Sequence, residues 1–188
     1  MAWWFRRRSE PDEELAKLTV AAQLGDDVAM GDLAVGLHVK GDRDGALHWW
    51  GRAWAAGNVV AGFNLGMLHA VAGDANRAQV IWEKTAALGD PDAMLGLVKQ
   101  ALERGDAAGV ERWAPAIVAQ DEAFPITALG VAFWDCGDLE RAMQVLLRAE
   151  ELGDGYAMEY RAQILGVWGR HEEADALRAR AARAERML

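Results

Sequence analysis

The chain has 188 residues, of which 52% are hydrophobic and 26% charged, with a formal net charge of −9. This composition is that of a globular protein, and it argues against a nucleic-acid binder because neutralising phosphates requires a clustered basic surface. Since no apolar run approaches the roughly 20 residues of a membrane-spanning helix, stable membrane insertion is not expected either.

The first residues differ in character from the rest of the chain. Residues 1–8 place two tryptophans and a phenylalanine before three arginines, which is not the charged-then-apolar order of a secretion signal. We therefore expect a cytoplasmic protein, with residues 1–10 as a flexible tail and residues 11–188 as one domain. As an alternative, residues 2–8 contact an anionic membrane interface, although three cations are too few for stable anchoring alone.

Glycine recurs at a step of 32 residues in two interleaved series. Most of these glycines precede Asp or Asn, and they are Gly25, Gly57, Gly89 and Gly153 in one series and Gly41, Gly73, Gly105, Gly137 and Gly169 in the other. Leu33, Leu65, Leu97 and Leu129 keep the same step. A fixed period of this size indicates a helical solenoid in which one unit is written about five times.

Residues 57–88 show how one unit is built. Gly57 and Asn58 precede an apolar pattern with helical spacing, which predicts helix A; Gly73 and Asp74 end it, and helix B follows. Applied along the chain, the template predicts a leading helix near 11–24 and then helices at 27–40, 43–56, 59–72, 75–88, 91–104, 107–119, 122–136, 139–152, 155–168 and 171–187. The prediction is eleven helices and no strand.

The third and fourth repeats depart from the pattern. Asp121 replaces the closing glycine, and Pro115 and Pro125 fall within or near the start of helices, where a backbone donor is lost. We expect a kink or a shortened helix around 113–126.

Two kinds of position are expected to form the packed interior. Small residues such as Ala34, Gly66 and Gly130 allow two helix backbones to approach closely. Large buried area is expected from tryptophans, namely Trp49, Trp50, Trp82 and Trp113. The single cysteine, Cys136, is expected to be a small core residue; it cannot form an internal disulfide, which fits a reducing compartment.

These columns resemble the tetratricopeptide repeat, in which small residues occupy the helix crossings and helix B carries an aromatic residue. Leu65, Gly66, Ala78, Trp82 and Thr85 carry the resemblance, and it extends over nearly the whole chain. The helix B text, from Ala46 to Ala53 and from Ala78 to Ala86, is similar to the Sel-one-like subfamily. The resemblance implies an all-α fold, a right-handed superhelix of helix pairs, and a non-catalytic scaffold that binds a protein or peptide on its concave surface.

In such a solenoid, helix A positions that do not pack on helix B face the concave side. One column of these positions is Val28, Val60, Asp92, Phe124 and Tyr156. The residues we expect to bind a partner are Phe63, Met67, Leu95, Leu102, Phe124, Val131, Trp134 and Tyr156. Together they form an apolar row that suits an amphipathic helix or an apolar peptide. The alternative is that superhelical curvature or a homodimer buries the row.

Nothing in the sequence indicates an enzyme, a cofactor or a metal site. The four histidines, His38, His48, His69 and His171, lack both the spacing and the neighbouring cysteines of a zinc site, and no phosphate-binding loop or nucleophile motif is present. Besides the scaffold, two functions stay open: a regulator whose groove senses a peptide or small ligand, and a peripheral membrane adaptor that uses residues 2–8.

Overall fold

The structure is a computed structural model that describes the backbone of residues 3–184 and the side chains of residues 12–183. Within that range the chain forms eleven helices and no strand. The helices are α1 (Trp3–Gln23), α2 (Asp27–Val39), α3 (Arg43–Ala55), α4 (Val59–Val71), α5 (Ala75–Ala86), α6 (Pro91–Arg104), α7 (Ala107–Val118), α8 (Ala123–Asp135), α9 (Leu139–Glu151), α10 (Gly155–Val167) and α11 (His171–Ala184).

The all-α prediction is confirmed, and α2 to α10 begin and end within two residues of the predicted bounds. The leading helix is longer than predicted, since α1 begins at Trp3 instead of near residue 11. The side chains of residues 2–8 lie outside the described residues, so the tail and its membrane contact stay predictions. None of the described helices is both long and apolar enough to cross a membrane.

The chain divides into two compact units, the first ending at Ala93 and the second beginning at Met94. In the first unit, α1 packs on α2, α2 on α3, α3 on α4 and α4 on α5. In the second, α7 to α11 pack in the same consecutive way, and α8 also contacts α10. Each unit is thus a stack of antiparallel helices, as short connections require.

A glycine followed by Asp or Asn both ends one helix and begins the next. At the end of α3, Gly57 has φ +103°, and the Asn58 N–H donates to the carbonyl of Ala53 at 3.0 Å, as in a Schellman motif. The Asn58 side chain then accepts from the Ala61 N–H at 3.0 Å and caps α4. Nine glycines of the described chain have positive φ, and they are the nine of the two predicted series.

Two connections depart from this pattern: Gly169, before α11, is followed by Arg170, and the connection between α7 and α8 has no glycine. Asp121 adopts the left-handed conformation, with φ +55°, in the place of a glycine. The next residue, Glu122, makes no side-chain cap bond to α8, whose third residue is Pro125 and has no N–H to donate. The expected shortening is absent, because α7 runs through Pro115 to Val118 and is as long as α5. The observed irregularity lies in the connection, and the expected kink stays a prediction.

The predicted burial is confirmed for two of the tryptophans and for the leucine column. Trp50 and Trp82 are buried, as are the four leucines Leu33, Leu65, Leu97 and Leu129. Trp49 and Trp113 are only half-buried, and each has an arginine guanidinium over its ring, at 4.8 and 4.6 Å from the ring centroid. These two tryptophans therefore cover the edge of the helix layer instead of filling it.

Close packing explains the small residues of helix A. A Cβ added to Gly66 would lie 2.5 Å from Cδ1 of Trp82, and one added to Gly130 would lie 2.5 Å from Cγ of Leu146. The Trp82 ring has little freedom to move, since its Nε1–H donates to the carbonyl of Phe63 at 3.1 Å. The glycine at position 66 is therefore required by its neighbour.

The leucine column ends in a charge that the sequence reasoning did not use. Arg161 occupies the position 32 residues after Leu129, and its side chain is 17% exposed. It pairs with Glu150, whose side chain is 8% exposed and also accepts from Arg180 at 2.9 Å. Burial, with a smaller contribution from Arg180, lowers the pKa of Arg161. In the last repeat a largely buried ion pair takes the place of an apolar contact.

We predict that Gly66→Ala lowers the free energy of unfolding by about 1–2 kcal/mol, because overpacking against Trp82 outweighs the gain in helix propensity. Gly51→Ala is the matched control, since Gly51 lies within α3 and an added Cβ would meet nothing within 4 Å. Its unfolding free energy should rise by about 0.5–1 kcal/mol. Urea denaturation followed by circular dichroism measures both, and equal effects would contradict the packing argument.

We predict that Glu150→Ala costs about 3 kcal/mol, since it leaves the largely buried guanidinium of Arg161 without its carboxylate. Adding Arg161→Leu, which restores the leucine of the column, should recover most of that loss because an apolar pair can replace a buried ion pair. Urea denaturation of both variants gives the comparison. If the double variant were less stable than Glu150→Ala, the ion pair would not be standing in for an apolar contact.

Candidate partner-binding surface

The second residue of the A helix is an exposed apolar side chain in four of the five repeats, two in each unit, and in α6 it is Asp92. In the first unit these residues are Val28 of α2 and Val60 of α4, and both are exposed. In the second unit they are Phe124 of α8, 75% exposed, and Tyr156 of α10, 76% exposed. Single exposed apolar residues are common in proteins, and exposed valines also recur at the last residue of α2, α4 and α10; the column at the second residue is distinguished by its two aromatic side chains. This column is the candidate surface.

A hydrogen-bonded bridge holds the two aromatic residues of the second unit in place. The Thr127 hydroxyl, one turn after Phe124, donates to Oδ2 of Asp154 at 2.5 Å. The other oxygen of Asp154 accepts from the Tyr156 N–H at 2.9 Å and caps α10. Because the acceptor is a carboxylate and Thr127 is buried, the bridge fixes the N-terminal part of α8 against the cap of α10.

The first unit has a related bridge through an amide. The Nδ2 group of Asn58 donates to the carbonyl of Asp27 at 3.2 Å and so joins the first turns of α2 and α4. Beside it, a cleft of about 280 Å³ lies between these helices, with Val28, Val35 and Val60 in its lining. A short apolar side chain of a partner fits a cleft of this kind.

The other predicted partner-binding residues are less accessible than the column. Phe63, Met67, Leu95, Leu102, Val131 and Trp134 are all half-buried. The Phe63 ring is stacked on Trp82, with ring centroids 6.5 Å apart, so it also contributes to the first unit's own packing. Leu102 borders a cleft of about 380 Å³ between α6 and α8. Of the eight residues, Phe124 and Tyr156 are thus the most available to a partner.

Sequence reasoning missed the bridge, because a threonine or an aspartate inside a helical pattern gives no signal of a partner 27 residues away. It was also wrong about Cys136, which is exposed at the end of α8, with its thiol donating to the carbonyl of Phe133 at 3.2 Å. Cys136 follows the last residue of the helix, where the chain turns out of the core.

The described residues hold no group of three or more His, Cys, Asp or Glu side chains that could bind a metal ion. His38 lies beside Trp50, with ring centroids 5.5 Å apart, and His48 lies edge-on to Trp49 at 5.2 Å. Both histidines therefore make ordinary aromatic contacts.

Comparison with known proteins gives similarity of structure without similarity of sequence. No family model matches the chain, and no curated protein matches it. Among solved structures, BtubC (BKLC) from P. vanneervenii is similar with a TM-score of 0.71 and 14% identity, covering 95% of this chain and 92% of that one. The Sel1 repeat protein from Oxalobacter formigenes has a TM-score of 0.61 and 21% identity, covering 91% of this chain and 83% of its own.

A third similar structure is YrrB, described as a TPR protein with an unusual peptide-binding site. Its TM-score is 0.53 and its identity 15%, and the match covers 89% of this chain and 91% of YrrB. At these identities the likeness establishes the fold and leaves function to be argued from the side chains.

We predict a pH-dependent effect of Asp90→Asn, at the cap of α6. Asp90 accepts from the Ala93 N–H at 2.7 Å, and burial, reinforced by Asp92, raises its pKa. The folded state therefore binds this proton more tightly than the unfolded state, and stability is lost as the pH rises through the folded pKa. Asparagine caps equally well without ionising, so the gain from Asp90→Asn should be larger at pH 7 than at pH 4.

Urea denaturation at the two pH values measures this difference. The reverse change, Asn58→Asp, places a carboxylate at the equivalent half-buried cap and should lower stability more at pH 7 than at pH 4. A gain from Asp90→Asn that does not change with pH would contradict the assignment.

Proposed function

Given the helical-repeat fold that it shares with tetratricopeptide and Sel1-like repeat proteins, we propose that this chain is a non-catalytic scaffold that binds a protein or peptide partner. The partner docks on the helix A surface, with Phe124 and Tyr156 as its main contacts and the cytoplasm as the expected location. The exposure of these two aromatic side chains at equivalent positions is the observation that carries the proposal. YrrB, a protein of the same fold, has a peptide-binding site, which supports a peptide as the occupant.

Aromatic side chains on rigid backbone suit this role. They bury a large area on binding and lose few rotamers, and residues of this kind dominate the energy of many interfaces. The bridge between Thr127 and Asp154 fixes the backbone that carries them, so less ordering is needed when a partner docks. The Tyr156 hydroxyl adds a polar group that can hydrogen-bond to a peptide backbone.

The test is the double variant Phe124→Ser with Tyr156→Ser. Since both side chains are exposed, we expect the melting temperature to stay within about 2 °C of the wild type, because surface substitutions rarely exceed ±0.5 kcal/mol. Affinity for the partner should fall at least about tenfold, as for the loss of an interface hot spot. Affinity capture from lysate of the source organism identifies the partner, and titration with the purified partner measures the loss.

The matched control is Leu147→Ser with Val167→Ser, which removes two exposed apolar side chains of the same unit outside the column. This variant should retain the partner. If both double variants captured the same proteins as the wild type, the column would not be the docking surface. Unfolding of the Phe124 and Tyr156 variant would instead place these residues in the core.

A further inference from the structure

An open groove lies on the helix B side of the first unit, away from the column of apolar residues. It runs between α3 and α5 and has a volume of about 640 Å³. Its floor includes Leu65 and Ile81, which are buried, and Trp54 and Val80 line it on either side. The sequence reasoning did not predict this groove, because the repeat pattern gives the faces of the helices and not the gaps between them.

A missing side chain keeps the groove open. Gly51 lines it from the middle of α3, and a Cβ added there would meet nothing within 4 Å. Glycine inside a helix costs about 0.5–1 kcal/mol relative to alanine, and no neighbour requires it at this position. In contrast, the glycine at position 66 is forced by contact with Trp82. Gly51 thus lowers the stability of α3, and its structural effect is to leave space in the groove.

The ionisable residues that line the groove are all basic, although the chain as a whole carries a net charge of −9. They are His48, His69, Arg77 and Lys84. Arg77 and Lys84 form no ion pair with any residue that the structure describes, and both are exposed. The Lys84 ammonium lies 5.7 Å from the centroid of the Trp54 ring. Positive charge therefore stands beside apolar surface.

The electrostatic surroundings of His69 agree with this reading. Burial lowers the pKa of His69, and the cations Arg77 and Arg43 lower it further, while Asp74 opposes them. A carboxylate brought beside His69 would act against these cations and raise its pKa. The pKa of His69 therefore reports on a carboxylate bound in the groove.

We propose that this groove binds an acidic peptide segment, with one bulky apolar side chain over Leu65 and Ile81 and flanking carboxylates against Arg77 and Lys84. Charge complementarity and the apolar floor together select this occupant. A nucleic acid fits less well, because its binding rests on many phosphate contacts and this groove offers four basic side chains. The site goes beyond the proposed function, since it shares no residue with the column of exposed apolar side chains on the A helices.

The experiment uses the full chain and two displayed libraries of seven-residue peptides. In the first, the outer positions are Asp or Glu and the central positions are Leu, Ile, Phe, Met or Trp; in the second, Lys replaces the acids. Panning should enrich the acidic library on the wild type and not the basic one. The selected peptide should bind Gly51→Phe, and likewise the double variant Arg77→Glu with Lys84→Glu, at least about tenfold more weakly, since the first fills the groove and the second reverses its charge.

Control variants keep the test decisive. Gly166→Phe fills equally open space in α10 and should bind the peptide as the wild type does, and so should Phe124→Ser with Tyr156→Ser. If Gly51→Phe failed to fold by circular dichroism, the charge-reversed variant would decide. The peptide should also raise the pKa of His69, which NMR of the histidine ring protons measures.

Four results would overturn the proposal. They are equal enrichment of the basic library, unchanged binding by Gly51→Phe, binding of a single-stranded oligonucleotide in preference to the peptide, and self-association of the wild type that Gly51→Phe abolishes. The last would make a second copy of the chain the occupant. The proposed function is tested by a different variant, Phe124→Ser with Tyr156→Ser. Failure of the groove proposal therefore leaves the proposed function standing, and the reverse also holds.

Discussion

A glycine in the left-handed conformation, followed by Asp or Asn, is the constraint on which this structure depends. The glycine lets the chain leave a helix at a fixed residue, and the next residue donates its N–H back to that helix while its side chain caps the following one. Two residues thus provide hydrogen-bond partners for the unpaired backbone groups of two helix ends. Repetition at a step of 32 residues makes the helices of one kind equal in register, so that a given column occupies the same place in each A helix.

The candidate surface forms because equivalent residues occupy the same position in each A helix. The second residue of an A helix lies just after the cap, and in four of the five repeats it is apolar and exposed. The cap residue itself reaches the neighbouring A helix, through Asn58 in the first unit and Asp154 in the second. The same side chains therefore begin the helices and fix the spacing of the residues beside them. Binding surface and helix capping are parts of one arrangement.

Much of the fold could be predicted from the sequence because its signals are local and repeated. Helix bounds follow from the glycine steps, and the burial of Trp50 and Trp82 follows from their column. What could not be predicted depends on contacts between helices. The stacking of Phe63 on Trp82 and the pairing of Arg161 with Glu150 join different helices, and neither residue type reveals its partner in the sequence.

The most direct test is a measurement of the backbone itself. Triple-resonance NMR assignment, with Cα secondary shifts and HN–Hα couplings, locates every helix end and the sign of φ at each step. We predict positive φ at the nine repeating glycines and at Asp121, with a helix ending before each and a new one beginning just after. A helix that runs without a break through these steps, or extended structure on either side of them, would contradict the account.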